Sequence, residues 1–235
     1  MPHFVRHGGL RGVKKFYMKV LVLFYSLTGK TAELARSIAQ GVESVPDTEV
    51  EIKRIPEILP DAFFENQPSL RGIKESLVKE FPEATAQDVI GADGIALGSP
   101  THFGSLASQV KHFLDQFTPV WMKGDLTNKP VSFFCSAGAT HGGEELTLLS
   151  MIIPALNLGM IPVGIPYPIV GESPDFDAGS PYGAVYVTGS NRQLSDPDKK
   201  VAKILGRRLA AMTHIMGCDN EKCAVSKEIM KKLEV

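Results

Sequence analysis

An unbroken apolar run, Val20-Leu21-Val22-Leu23-Phe24-Tyr25, stands near the start of the chain and stops at a turn. A run with no polar face reads as a strand buried on both sides, as in a parallel sheet. Leu34, Ile38 and Val42 follow at helical spacing, with Ala35 and Ala39 beside them. Val50, Ile52 and Ile55 then alternate with Glu51, Lys53 and Arg54, a pattern suited to the edge of a sheet. Gly94 to Gly98 forms a short buried strand, and Leu106, Val110, Phe113, Leu114 and Phe117 form the helical face after it. Val131 to Cys135 is a fourth strand, followed by the helical face of Leu149, Ile152, Ile153 and Leu156. Met160 to Ile165 is a fifth, and Pro162, which has no N–H to donate, puts it at an edge. Val201, Ile204, Leu205 and Leu209 mark a last helix.

This alternation implies α/β architecture with helices on both faces of a parallel sheet. Strands two and five have edge character, and strands one, three and four have central character. The order 2-1-3-4-5 satisfies both, which is the flavodoxin-like doubly wound arrangement of a five-stranded parallel sheet. The order 3-2-1-4-5 would bury strand two against its pattern. Pro56 to Thr85 and Gly171 to Asn191 exceed ordinary connections and read as functional or partner-contacting loops.

Charge and cysteine content exclude several roles. With 25 basic and 26 acidic residues in 235, nothing marks a nucleic-acid binder. No apolar run reaches the roughly 18 residues of a membrane span. Residues 1–17 carry Arg6, Arg11, Lys14 and Lys15 without an acid, but lack an apolar core and a cleavage site. They read as an N-terminal extension ahead of a domain over 18–216, with Met18 as a second possible start. Residues 217–235 read as a polar tail, and the expected location is cytoplasmic. Cys135 reads as a buried apolar residue; Cys218 and Cys223 have no second ligand pair nearby, so no metal site is expected.

Ligands of such sheets sit beyond the carboxyl ends of the strands, at the switch point. The first loop, Ser26-Leu27-Thr28-Gly29-Lys30-Thr31, has three hydroxyls and a glycine where a helix begins. Unpaired N–H groups and the helix dipole favour an anion there. One cap needs one hydroxyl, so the loop reads as a phosphate cradle. Gly29-Lys30-Thr31 mimics the end of a nucleotide P-loop, but the position that should hold its first glycine is Phe24. The short loop suits a terminal monophosphate. The second loop, Gly98-Ser99-Pro100-Thr101-His102-Phe103-Gly104, offers backbone donors, a rigid proline and an aromatic ring. The third, Ser136-Ala137-Gly138-Ala139-Thr140-His141-Gly142-Gly143, is glycine-rich, and Glu144 and Glu145 behind it read as dipole partners of a helix. A flat ring held by backbone groups, with its phosphate on the first loop, describes flavin mononucleotide (FMN).

With these loops, Phe113-Leu114-Asp115-Gln116, Gly142-Gly143-Glu144-Glu145 and Ser180-Pro181-Tyr182-Gly183-Ala184, the sequence resembles the WrbA-type NAD(P)H:quinone oxidoreductases. The resemblance covers about Met18 to Met216. It implies a flavodoxin-like, usually tetrameric FMN enzyme that passes two electrons from NADH or NADPH to a quinone. Both substrates would use one site in turn, with hydride passing through flavin N5, so no side chain need be catalytic. By the same resemblance, Ser26 to Thr31 would hold the phosphate, and Pro100, Thr101, His102, Phe103 and Gly104 the ring and ribityl chain. Ser136, Ala137, Gly138, Ala139, Thr140 and His141 would line the polar edge of the ring. Trp121, Phe103 and Thr28 would meet the substrate. Asn157 stands where the family commonly has a histidine that reaches the flavin from a neighbouring subunit; asparagine donates but does not titrate near neutral pH. The competing readings are a flavodoxin-type electron carrier and an FMN-binding regulatory module without turnover.

Overall fold

The computed structural model describes residues 17–166, 179–189 and 192–217. The basic extension, Cys218, Cys223 and most of the tail lie outside the described residues, as do 171–178 and 190–191 of the long connection.

The sheet is built on β1 (Met18–Phe24), flanked by β2 (Thr48–Arg54) on one side and β3 (Gly94–His102) on the other, with β5 (Pro130–Ala137) beside β3. All these pairings are parallel. The period-two alternation of β1 divides the core in two. Leu21, Leu23 and Tyr25 face one layer, with Ile95, Leu97, Val131 and Phe133. That layer is closed by α5 (Ser108–Asp115) and α7 (Glu144–Asn157), through Val110, Phe113, Leu148 and Met151. Val20, Val22 and Phe24 face the other, with Ala96 and Phe134. There Leu34 and Ile38 of α1 (Lys30–Glu43) meet Leu205 and Leu209 of α8 (Asp196–Met216). Among the described residues β1 is the strand that β2 pairs with, a single bridge joins Arg54 at its end to Glu83, and β2 stays half-buried, as its charged alternation requires.

The fifth position corrects the sequence reading. Only Ile161–Pro162 (β6) of the expected strand pairs, beside Pro130 and Val131. Pro162 cannot donate to a ladder, and the chain leaves after Val163, whose N–H reaches Val131 O at 2.7 Å. The lane is completed by β8 (Gly183–Val187), which runs parallel to the end of β5 and comes from the stretch read as a loop. Gly183 is required there, because a Cβ would lie 2.1 Å from Phe133 O. β7 (Gly179–Ser180) adds an antiparallel edge to β8, and β4 (Ser105–Leu106) folds back antiparallel on β3. The sheet is therefore mainly parallel, with its fifth lane in two pieces.

The stretch from Pro56 to Thr85 is also not a plain loop. It holds α2 (Asp61–Glu65) and α3 (Pro68–Glu80), and α4 (Ala86–Gly91) follows. Leu77 and Phe81 are buried, and the Phe81 ring meets Phe24 edge-on at 5.1 Å. The remaining short helix, α6 (Thr118–Lys123), ends on left-handed Gly124.

Helices α1 and α8 touch backbone to backbone. A Cβ at Gly41 would lie 2.1 Å from Lys203 O, and one at Gly206 2.1 Å from Ile38 O. Gly41→Ala is expected to force the pair apart and destabilise the fold by about 1–3 kcal/mol, the usual cost of overpacking. A lowered urea midpoint at unchanged slope checks it; an unchanged midpoint refutes the close contact.

Candidate functional site

The parallel register brings three loops together. Phe24 lies opposite Gly98, and Gly98 opposite Phe134. The chain therefore leaves β1, β3 and β5 on one rim of the sheet.

In the first loop, Tyr25 N–H donates to Gly98 O at 3.1 Å, tying the loop base to β3. Ser26 is buried, and its Oγ has no hydrogen-bond partner among the described residues. Thr28 is exposed. Gly29 takes φ 81°, and no side chain caps α1. The first-turn N–H groups of a helix lack intrahelical acceptors, so they are left to this loop. The Thr31 hydroxyl faces inward and meets Ser136 Oγ at 2.8 Å. This contact joins the first loop to the base of the third. Lys30 turns away to Glu33, at 3.1 Å. Burial pulls its ammonium down, but Glu33 outweighs that and holds it above the ordinary value.

The second loop is a tight hairpin. Thr101 and His102 pair with Leu106 and Ser105. Phe103 and Gly104 at the tip have φ 53° and 73°. Left-handed backbone is a real strain for a phenylalanine. Phe103 is also fully exposed, so no burial of its own compensates. Thr101 Oγ1, which lies beside the Cys135 thiol, is a second buried hydroxyl with no hydrogen bond of normal geometry among the described residues. The Cys135 thiol near it donates instead to Glu144 O at 3.5 Å, and burial pushes that thiol up to about 12.

In the third loop Ser136 and Ala137 are buried, and Gly138, Ala139, Thr140 and His141 are exposed. His141 has φ 63°, and its N–H donates to Glu144 Oε1 at 3.1 Å. Gly143 has φ 93°, and a Cβ there would strike Gly104 Cα at 2.6 Å. Loops two and three thus touch through a pair of glycines. A cavity of about 840 Å³ opens on the β8 side of the third loop. It is lined by Thr140, His141, Glu144, Ser180, Val187 and Arg192, among others, and not by the first loop.

Trp121 and Asn157 lie elsewhere in the chain. They share a groove of about 540 Å³ between α6 and the end of α7. Asn157 Nδ2 donates to Ile153 O, one turn back, at 2.9 Å. Within one chain neither residue joins the three loops.

Sequence reasoning passed over Glu57. This carboxylate follows Ile55, whose N–H extends the β1 pairing by donating to Phe24 O at 2.7 Å. It accepts from Tyr25 OH at 2.7 Å and from Gln109 Nε2 at 2.9 Å. Its partners come from separate segments, so no local pattern announces it.

His102 is half-buried, and burial pulls its pKa below the ordinary histidine value, partly offset by the charge of Glu57. The folded state therefore binds this proton less readily than the unfolded chain. The cost is absent well above the unfolded value of about 6.5 and grows as pH falls through it. His102→Gln is expected to lose less melting temperature than the parent between about pH 7.5 and about pH 5.5. Equal acid sensitivity in thermal melts of the two proteins would remove His102 from that account.

The chain matches the model of the family described as NADPH-dependent FMN reductase over residues 18–175. It is 36% identical over 200 residues to a NAD(P)H dehydrogenase (quinone) of Solidesulfovibrio magneticus, covering 83% of this chain and 98% of the relative. A protein of the same name from Geotalea uraniireducens is 37% identical over 199 residues, covering 83% and 97%. Among solved structures, a flavodoxin, WrbA-like protein from Agrobacterium tumefaciens superposes with TM-score 0.57 at 18% identity, covering 85% of this chain and 99% of that one. An archaeal flavodoxin gives TM-score 0.53 at 18% identity, covering 83% and 99%. These two likenesses are of fold. Family match, curated relatives and a flavodoxin-like sheet with three converging loops agree, and this chain belongs to the NADPH-dependent FMN reductase family.

Proposed function

We propose that this protein is an FMN-dependent NAD(P)H:quinone oxidoreductase. The observation that carries the reading is the buried, unpartnered Ser26 hydroxyl beside an uncapped helix N-terminus. A buried hydroxyl without a partner costs free energy, and a phosphate is the ligand that would satisfy it together with the helix N–H groups. Bound there, FMN supplies the two-electron redox chemistry between nicotinamide and quinone.

The remaining work belongs to the chain. Ser26, Leu27, Thr28, Gly29 and Lys30 would surround the phosphate, with Thr31 holding the loop to Ser136. Pro100, Thr101, His102 and Gly104 would take the ring and its ribityl chain. Phe103, held out by strained backbone, would present an aromatic face to planar substrates. Ser136 to His141 would offer backbone donors to the polar edge of the ring. His102, neutral at ordinary pH, would act as a hydrogen-bonding group and not as a charge.

Full-length protein carrying FMN is expected to oxidise NADH or NADPH with benzoquinone as acceptor. Ser26→Ala combined with Thr28→Val is expected to weaken FMN binding at least about tenfold, since a hydrogen bond to a charged group is worth roughly 1.5–3 kcal/mol. Unchanged retention would defeat the phosphate assignment. Retained flavin without turnover would favour an electron carrier.

A homotetramer, or a dimer, fits the apolar face around the groove. Trp121, Met122, Ile153 and Leu156 are all more than half exposed. Contiguous exposed apolar side chains mark interaction surfaces, and a second copy would cover them and bring Asn157 toward its neighbour's cofactor. No helix among the described residues is long and apolar enough to cross a membrane, and the reading places the protein in the cytoplasm, with its nicotinamide donor. Trp121→Ser with Ile153→Ser is expected to lower the mass seen by light scattering on a sizing column. An unchanged mass would clear this face of a role in assembly.

A further inference from the structure

Glu57 lies outside the three loops, yet it touches the elements that carry two of them. Its Oε1 accepts from Gln109 Nε2, Ile58 N and Leu59 N, each at 2.9 Å, and its Oε2 accepts from Tyr25 OH at 2.7 Å. That set fills most of what an ionised carboxylate can accept. Tyr25 stands directly before Ser26 and is 3% exposed. Gln109 stands in the first turn of α5, just after the hairpin that carries Thr101, His102 and Phe103, and is 2% exposed. The hairpin is held on its own side as well, by Ala107 N donating to Ser99 Oγ at 2.8 Å and Leu106 N to Ser150 Oγ at 2.9 Å. Burial and then Glu57 raise the Tyr25 phenol far above its ordinary value, so it stays a donor. The carboxylate therefore grips both loop bases through two buried donors, and the Gln109 amide is oriented for this by its own oxygen, which accepts from Ser108 Oγ at 3.1 Å.

We propose that Glu57 is a positioning residue of the cofactor site: by accepting from Tyr25 and Gln109 together, it fixes the spacing between the first loop and the second-loop hairpin, and so sets the affinity for FMN. This rests on the reading of the site as an FMN site. Asparagine or glutamine would offer one acceptor oxygen and turn an N–H donor toward the other partner. A carboxylate turned edge-on satisfies both and shapes its own turn through Ile58 and Leu59. Hydrogen bonds to an ionised acceptor are the stronger kind, which suits a clamp whose ends belong to the loop base after β1 and to the start of α5.

The test compares FMN release on dilution from loaded full-length protein, followed by flavin fluorescence, with thermal melts alongside. Glu57→Gln is expected to weaken FMN binding about tenfold, and Tyr25→Phe less, about threefold, because charge-assisted bonds are lost. The double variant is expected to bind no more weakly than Glu57→Gln alone, since both changes break one contact. Glu75→Gln, which removes an exposed ion pair to Arg71 (3.1 Å) within α3, is expected to leave FMN affinity unchanged. If Glu57→Gln does not fold, Tyr25→Phe carries the test alone. Wild-type affinity in Glu57→Gln, or in Tyr25→Phe when it stands alone, overturns the proposal, as does full additivity of the two changes. A lowered melting temperature with unchanged affinity also overturns it, leaving a structural residue only. If the parent protein binds no FMN at all, the functional reading falls first and this one with it.

Discussion

Parallel pairing of β1, β3 and β5 determines where everything else at the site can be. In a parallel sheet every strand delivers its carboxyl end to the same rim, and the register sets how far apart those ends are. Phe24, Gly98 and Phe134 stand side by side across the three strands. Loops of very different sequence therefore start within reach of one another. Two small contacts then hold them: the Thr31–Ser136 hydroxyl pair between loops one and three, and the glycine-to-glycine approach of Gly143 on Gly104 between loops three and two. Both contacts depend on residue size. A larger side chain at Gly143 would separate the loops, and the loss of either hydroxyl would leave the other buried alone.

Two of the described helices open on a side-chain cap and six do not, and two of the uncapped starts lie behind loops of the rim. Helix α4 opens with a complete capping box, Thr85 with Asp88, and α8 with another, Ser195 with Asp198. Each satisfies its own orphan N–H groups from nearby side chains. Helices α1 and α7, which open behind the first and third loops, begin on left-handed Gly29 and Gly143 without any side-chain cap. At the rim two buried hydroxyls, Ser26 and Thr101, have no hydrogen-bond partner among the described residues, whereas Thr31 and Ser136 bond each other and Ser132 and Thr213, deep in the fold, donate to Val163 O and Leu209 O. A fold leaves such groups unpaired where something else is to pair them. The strained, exposed Phe103 belongs to the same pattern.

How much of this could be read in the sequence depended on whether the signal was local. β1, β3 and β5 were legible because strands covered on both faces leave continuous apolar runs. β2 was legible as an edge from its alternating charges. Helix α3 carried a readable signal in Leu70, Ile73 and Leu77, continued by Phe81 just after it, at helical spacing, but the length of Pro56 to Thr85 was read as a long loop. The fifth strand could not be read whole. Its two pieces lie about twenty residues apart in sequence, and Gly183 to Val187 earns its place by a close approach to Phe133 that no sequence pattern displays. The three loops were visible from composition alone. Their spatial bookkeeping was not: Thr31 is committed to Ser136, and Glu57 draws its donors from β1 and α5, far apart in the chain.

Helix α7 bears on whether one chain is a whole site. Its first residue, Glu144, accepts from the third loop, and its last, Asn157, faces the apolar groove with Trp121. Fourteen residues at 1.5 Å each span about 20 Å. The two ends of α7 line different cavities of the chain. The proposal that Asn157 and Trp121 meet a flavin or its substrate is accordingly one that brings in a second copy. Met122, Ile153 and Leu156 beside them are exposed apolar side chains that a second copy would bury on that proposal. On that reading, the rigid helix that sets the third loop in one subunit would also carry the contact residue of the next.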